Sequence, residues 1–234
     1  MSTYVLVHGA GGSSWDWHLV EAELRQRGHE VIAPDLPCDD DAAGLPEYAD
    51  AVVEAVGDRA GVVLVAHSLA GFTAPLVCDR IPVEMLVLVA GMIPSPGEAP
   101  GEWWDNTGHA EAQRQQAERD GRPVDEDMAE TFLHDVPPDL AAEALERSRD
   151  QSGTPFEAPW PMPAWPTVPT RVLLCQDDRM FPPPFMRRIA DERLGIEPDE
   201  MPGGHYVAIS RPKELADRLE GYVSAEPGGF GPRA

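Results

Sequence analysis

Ser68 sits in the string Ala66-His67-Ser68-Leu69-Ala70-Gly71, between the apolar run Val62 to Ala66 and a helix-like stretch that opens at Leu69. A serine at a sharp strand-to-helix turn has its hydroxyl held clear of the backbone, and crowding there demands small residues two positions to either side. Alanine fills both places here, where glycine is the stricter pattern. A serine hydroxyl is a weak nucleophile until a base takes its proton, and that base must be held in one tautomer by a third group. Both partners must come from later strand ends. Cys175-Gln176-Asp177-Asp178 and Gly203-Gly204-His205 each follow a strand-like run, which makes His205 the candidate base and Asp178 the candidate acid, with Asp177 as its rival. Ser, then Asp, then His is an order recognised for a nucleophile on such a turn.

Acyl transfer also needs N–H donors aimed at the developing oxyanion. Leu69 N–H, directly after the serine, is one natural donor, and the loop His8-Gly9-Ala10-Gly11-Gly12 offers a second through Ala10. That loop is not a phosphate cradle, because it lacks both the lysine of a G-K-[ST] string and the G-x-G-x-x-G spacing. The remaining histidines fit the role of base less well. His67 abuts the serine and should point away from it, His8 precedes a loop glycine, His18 and His29 belong to a first helix and its exit, and His109 and His134 read as surface residues. No metal site is expected: Asp39-Asp40-Asp41 lacks the spaced oxygens and glycine of a calcium loop, and Cys38, Cys78 and Cys175 show no C-x-x-C spacing.

The elements that must position these groups alternate between strand and helix signals, the mark of a mostly parallel sheet covered on both faces. Six strands are predicted: Tyr4 to Val7, Val31 to Ala33, Val62 to Ala66, Met85 to Val89, Arg171 to Cys175, and a short one before Gly203. Between them, Ser13 and Asp16 have capping-box spacing ahead of the stripe Trp17, Val20 and Leu24. Leu45 to Val56 repeats at helical spacing behind Pro46, and Phe185 to Leu194 forms a later helix. Pro75, inside the helix after the serine, predicts a kink. Ser210 is read as the cap of a C-terminal helix striped by Leu215, Leu219 and Val223, and the tail from Glu226 as loosely ordered.

The rhythm breaks between Gly91 and Pro169, a proline-rich stretch that carries Trp103, Trp104, Trp160 and Trp165. Two or three short helices are expected inside it, such as Asp125 to His134 and Asp139 to Ser148, and no strand. An insertion over the carboxyl ends of a parallel sheet lies where ligands bind, so about residues 93–168 are read as a helical lid on one domain spanning 1–234. For any single tryptophan there, packing the insertion onto the core is the expected role. Phe72, Met92 and Phe181 near strand ends, with Trp104 from the lid, are the candidate substrate-binding residues for an apolar or aromatic acyl group.

A formal charge of -23 repels nucleic acid and anionic lipid and disfavours anionic substrates. No apolar run reaches the ~18 residues of a membrane helix. Met1-Ser2-Thr3 runs straight into a strand with no leader-like segment, and three unpaired cysteines fit a reduced, cytoplasmic setting. The expected partner is a small-molecule ester, with neither nucleic acid nor membrane, and a homodimer is left open.

The strings Val5-Leu6-Val7-His8-Gly9-Ala10, Ala66-His67-Ser68-Leu69-Ala70-Gly71, Asp178-Arg179-Met180-Phe181-Pro182, Gly203-Gly204-His205 and Pro212-Lys213-Glu214-Leu215 resemble the plant methylesterase and hydroxynitrile lyase branch of the α/β-hydrolases. The resemblance spans nearly the whole chain outside the insertion. It implies the α/β-hydrolase fold, Ser68, His205 and Asp178 as a catalytic triad, Ala10 and Leu69 as oxyanion donors, and no cofactor. The lyase members carry threonine where Gly9 stands and lysine where Tyr206 stands, so cyanohydrin cleavage is not expected. Hydrolysis of a small carboxylic ester through an acyl-enzyme is the leading reading. Other chemistry on the same triad (C–C, lactone or amide hydrolysis, or a lyase or cyclase step) and a non-catalytic binding module are the alternatives.

Overall fold

A computed structural model describes residues 1–124 and 127–224. The sheet has six strands: β1 (Thr3–Val7), β2 (Glu30–Ile32), β3 (Val62–His67), β4 (Met85–Val89), β5 (Thr170–Cys175) and β6 (Asp199–Met201). Their order is β2-β1-β3-β4-β5-β6, and every neighbouring pair is parallel, so the sheet is wholly rather than mostly parallel. Apart from Thr3 at the start of β1 and His67 at the end of β3, strands β1, β3 and β4 are continuous runs of valine, leucine and other apolar residues, buried on both faces apart from a half-buried Met85. Such runs cannot face water on either side, which forces the chain to cover the sheet twice with helices. The edges β2 and β6 are only three residues long and partly exposed. Short edges of this kind offer little to a stray strand. The predicted strand Val31 to Ala33 is therefore shifted by one residue and is an edge, with Glu30 exposed.

Ten helices stand among the described residues: α1 (His18–Gln26), α2 (Leu45–Val56), α3 (Ala70–Cys78), α4 (Pro100–Thr107), α5 (His109–Asp120), α6 (Met128–Leu133), α7 (Pro138–Arg147), α8 (Pro183–Leu194), α9 (Val207–Ser210) and α10 (Pro212–Ser224). Eight of the nine residues of α3 are buried, as expected of a helix apolar all round. It continues through Pro75. Ser13 N–H meets the Asp16 carboxylate at 3.3 Å, one half of the box its spacing suggested. Ser210 is no cap: it ends α9, its buried hydroxyl has no partner among the described residues, and α10 starts instead on Pro212 with Leu215 N–H bonded to Arg211 O. Proline's fixed φ suits that first-turn position.

Between β4 and β5 lie four helices, α4 to α7, rather than two or three, and no strand among the described residues. The predicted Asp125 to His134 helix is α6, which starts at Met128; Asp125, Glu126 and the tail from Glu226 lie outside the described residues. Trp103 and Trp160 are fully buried and tie this segment to the core, donating Nε1–H to Ile93 O at 3.0 Å and to Phe72 O at 3.1 Å. No helix among the described residues is long and apolar enough to cross a membrane.

Candidate active site

From β1 the chain runs to β2 on one side and then back to β3 on the other, so the strand order reverses between β1 and β3. Ligands of open parallel sheets bind at that switch point. His8 follows β1 there, and Ser68 follows β3.

Ser68 has φ +53°, one of two non-glycine residues in the left-handed region among those described. A side chain held there costs about 1–3 kcal/mol and persists only where the surroundings fix it. Three backbone bonds do so: Ser68 N–H to Val89 O at 3.4 Å, and Met92 N–H and Gly71 N–H to Ser68 O at 2.9 and 3.1 Å. Ala66 and Ala70 are tolerated two positions away, while the next residue, Gly71, must stay glycine, since a Cβ there would lie 1.9 Å from Met92 O.

Past the sheet, the loops after β5 and β6 are zipped together. Gln176 N–H bonds to Met201 O and Asp177 N–H to Gly203 O, while Asp177 Oδ2 accepts Gly203 N–H at 2.9 Å. Spending the Asp177 carboxylate on the loop leaves Asp178 to turn inward. Its Oδ1 accepts Met180 N–H and Phe181 N–H at 2.8 and 2.9 Å, and its Oδ2 accepts the Nδ1–H of His205 at 2.9 Å. Asp178 and His205 are 2% and 1% exposed. A carboxylate on Nδ1 leaves Nε2 as the basic nitrogen. Among the described residues no hydrogen bond joins Ser68 Oγ to His205. The two are neighbours through His67, whose Nε2–H bonds to His205 O at 2.9 Å and whose ring lies 4.7 Å from the His205 ring. Burial, and then the His205 charge, hold His67 well below the usual histidine range, so it stays neutral.

The loop after β1 is fixed from both ends. His8 donates Nδ1–H to Gly9 O at 2.8 Å and accepts Leu36 N–H on Nε2 at 2.9 Å, and burial lowers its pKa to about 4. Gly9 passes so close to the elbow that a Cβ on it would lie 2.9 Å from Ser68 Cβ. Gly11, at φ +64°, gives its N–H to Gln151 Oε1 at 3.0 Å and takes Arg149 N–H on its carbonyl at 2.7 Å. Among the described residues, neither Ala10 N–H nor Leu69 N–H donates a hydrogen bond, so both stay available to a ligand.

Of the predicted substrate-binding residues, Phe181 stands edge-on to His205 with ring centroids 5.1 Å apart, and half-buried Trp104 lies 6.1 Å from Phe181. Met92 is buried and meets the elbow through its backbone, and Phe72 exposes no surface at all. Several neighbours were not foreseen. Phe132 of α6 packs edge-on against His205 at 5.2 Å, Asp135 Oδ2 accepts Gly204 N–H at 2.7 Å, and His109, read as a surface residue, is buried. Only the mixed apolar and polar composition of the insertion hinted at such contacts. No cluster of three metal-binding side chains occurs among the described residues.

The profile described as the Alpha/beta hydrolase family matches residues 4–218. The probable esterase PIR7A of Oryza sativa subsp. indica is 26% identical over 250 residues, covering 92% of this chain and 94% of its own. Methylesterase 7 of Arabidopsis thaliana is 34% identical over 110 residues, 42% of each chain. The crystal structure of polyneuridine aldehyde esterase superimposes with a TM-score of 0.79 at 20% identity, covering 96% of this chain and 100% of that one.

Proposed function

The chain belongs to the alpha/beta hydrolase family, and from that premise we propose that it is a serine esterase acting on a small carboxylic ester, with Ser68 as nucleophile, His205 as general base and Asp178 as the acid that orients it. The observation that carries this reading is the buried Nδ1–H···Oδ2 bond of 2.9 Å, set beside a serine at φ +53°. Names of relatives point the same way, since a probable esterase aligns over nearly the full chain.

In the proposed cycle His205 Nε2 removes the Ser68 proton as Oγ attacks the ester carbonyl. The C–O π electrons move to the oxygen, which rests on Ala10 and Leu69 N–H groups. The tetrahedral centre collapses, the alkoxide leaves with the proton from His205, and water, activated by the same imidazole, releases the acid. Asp178 stays ionised and stabilises the imidazolium. The hydroxyl–imidazole hydrogen bond is one that such sites commonly complete only with substrate bound. Phe181 and Phe132 pack edge-on against His205 and Trp104 packs on Phe181, an aromatic surround that suits an apolar acyl group. Tyr206, next to the base, is kept as a neutral phenol by burial, which raises its pKa, so it cannot receive a departing anion as a lysine would.

Ser68→Ala should abolish turnover of p-nitrophenyl acetate while leaving the thermal transition in place, and a fluorophosphonate should label only the serine form. Full activity in the alanine variant would reject the assignment.

A further inference from the structure

His109 opens α5 and is 5% exposed. Trp103, Trp104, Phe181 and Phe185 surround its ring, with centroids 4.8 to 6.2 Å away. A carbonyl can only accept, so the 2.6 Å contact to Met180 O places the proton on Nε2. Four residues on, Gln113 Nε2 donates to Arg179 O at 3.2 Å. The carbonyls of 179 and 180 thus end on α5, while the N–H groups of 180 and 181 end on Asp178 Oδ1. The acid loop is held from both sides. Burial lowers the His109 pKa, the Met180 bond and the Asp178 charge oppose this, and the His205 charge adds to it; the net direction is down. The ring is therefore neutral and brings no rival cation to Asp178.

Resting on the esterase reading above, we infer that His109, through its hydrogen bond to Met180 O, is a positioning residue for the triad acid. It aims the two N–H groups that orient Asp178, and so sets the imidazole. Without the donor, the 178–181 loop keeps only the Gln113 bond on that side and the carboxylate shifts from Nδ1, which lowers the rate of the chemical step without touching the substrate.

His109→Phe keeps the aromatic packing and deletes the donor, while His109→Gln restores a donor without the ring. Turnover of p-nitrophenyl acetate and the rate of Ser68 labelling by a fluorophosphonate are measured for both. A displaced catalytic group of this kind costs ~10- to 100-fold. The expected result is that loss in kcat and in labelling rate for the phenylalanine variant, KM within about twofold, and recovery of most of the rate in the glutamine variant. Wild-type kcat in a folded His109→Phe overturns the inference, as does a glutamine variant as slow as the phenylalanine one. Should His109→Phe not fold, His109→Leu, which also lacks a donor, takes its place, and an unchanged kcat in that folded variant overturns the inference too. Wild-type protein that never labels at Ser68 removes the premise itself, a result distinct from the others.

Discussion

Gly9→Ala adds one carbon to the loop after β1, and the geometry fixes what must give. The new Cβ would lie 2.9 Å from Ser68 Cβ and 3.3 Å from His67 Nδ1. Carbon atoms settle at about 3.5–4.0 Å, so relief requires roughly 0.6 Å of movement or more. The elbow cannot supply it: Ser68 is held at φ +53° by bonds to Val89, Met92 and Gly71, and His67 is bound to His205 O. The loop carrying Ala10 must move instead. Catalytic groups tolerate only about 0.5 Å of displacement, so the Ala10 N–H leaves the oxyanion position proposed for it. Loss of one such donor lowers kcat by ~10² to 10³, and overpacking costs ~1–3 kcal/mol of stability. Steady-state hydrolysis of p-nitrophenyl acetate, with a urea titration on the same preparation, measures both. A Gly9→Ala protein with kcat within threefold of the parent would refute the placement of Ala10 N–H in the site.

Two further outcomes follow from buried charge. Asp16 is 8% exposed and burial raises its pKa from 3.8 to about 6, with Asp35 adding to this and the Ser13 N–H bond opposing it. Between those values the folded state binds more protons than the unfolded chain, so stability falls as pH rises from about 4 to about 6 and remains lower above. The gap corresponds to ~3 kcal/mol, so Asp16→Asn should gain about 1–3 kcal/mol in urea unfolding at pH 8 and nothing at pH 4; equal gains at both would refute it. Arg193 pairs with buried Glu98 through two nitrogens, one at 2.8 Å, and joins α8 to the segment after β4. Arg193→Met leaves that carboxylate unpaired and should cost ~3 kcal/mol, while Arg193→Met with Glu98→Gln recovers part of it; a lone Arg193→Met with unchanged urea midpoint would show the pair to be idle.

The sheet could be read from the chain because β1, β3 and β4 are continuous apolar runs, and only a strand buried on both faces needs such a run. The strand-to-helix turn at Ser68 was legible for a related reason: small residues must flank it. Which aspartate meets His205 was not decidable by spacing. Asp177 and Asp178 are adjacent, and the structure separates them by their loop bonds, one carboxylate on Gly203 N–H and the other on the imidazole. His109 was misread because α5 buries only His109 and Ala117 of its twelve residues, which leaves no stripe to betray its inner face. Ser210 was misread because the chain places a short turn and Pro212 where a serine cap would serve.

The segment between β4 and β5 reaches each of the loops that carry the proposed chemistry. Gln151 and Arg149 hold Gly11 beside Ala10, the proposed donor, His109 and Gln113 hold the carbonyls of the Asp178 loop, and Asp135 holds Gly204 N–H beside His205. A Cβ on Gly204 would lie 2.6 Å from Asp135 Oδ1, so a larger residue there would have to displace that side chain. A segment that only covered the substrate could vary without affecting the rate of the chemical step, but one bonded to all three loops cannot. Substitutions of these side chains should therefore lower kcat, because they set the positions of the groups proposed to react.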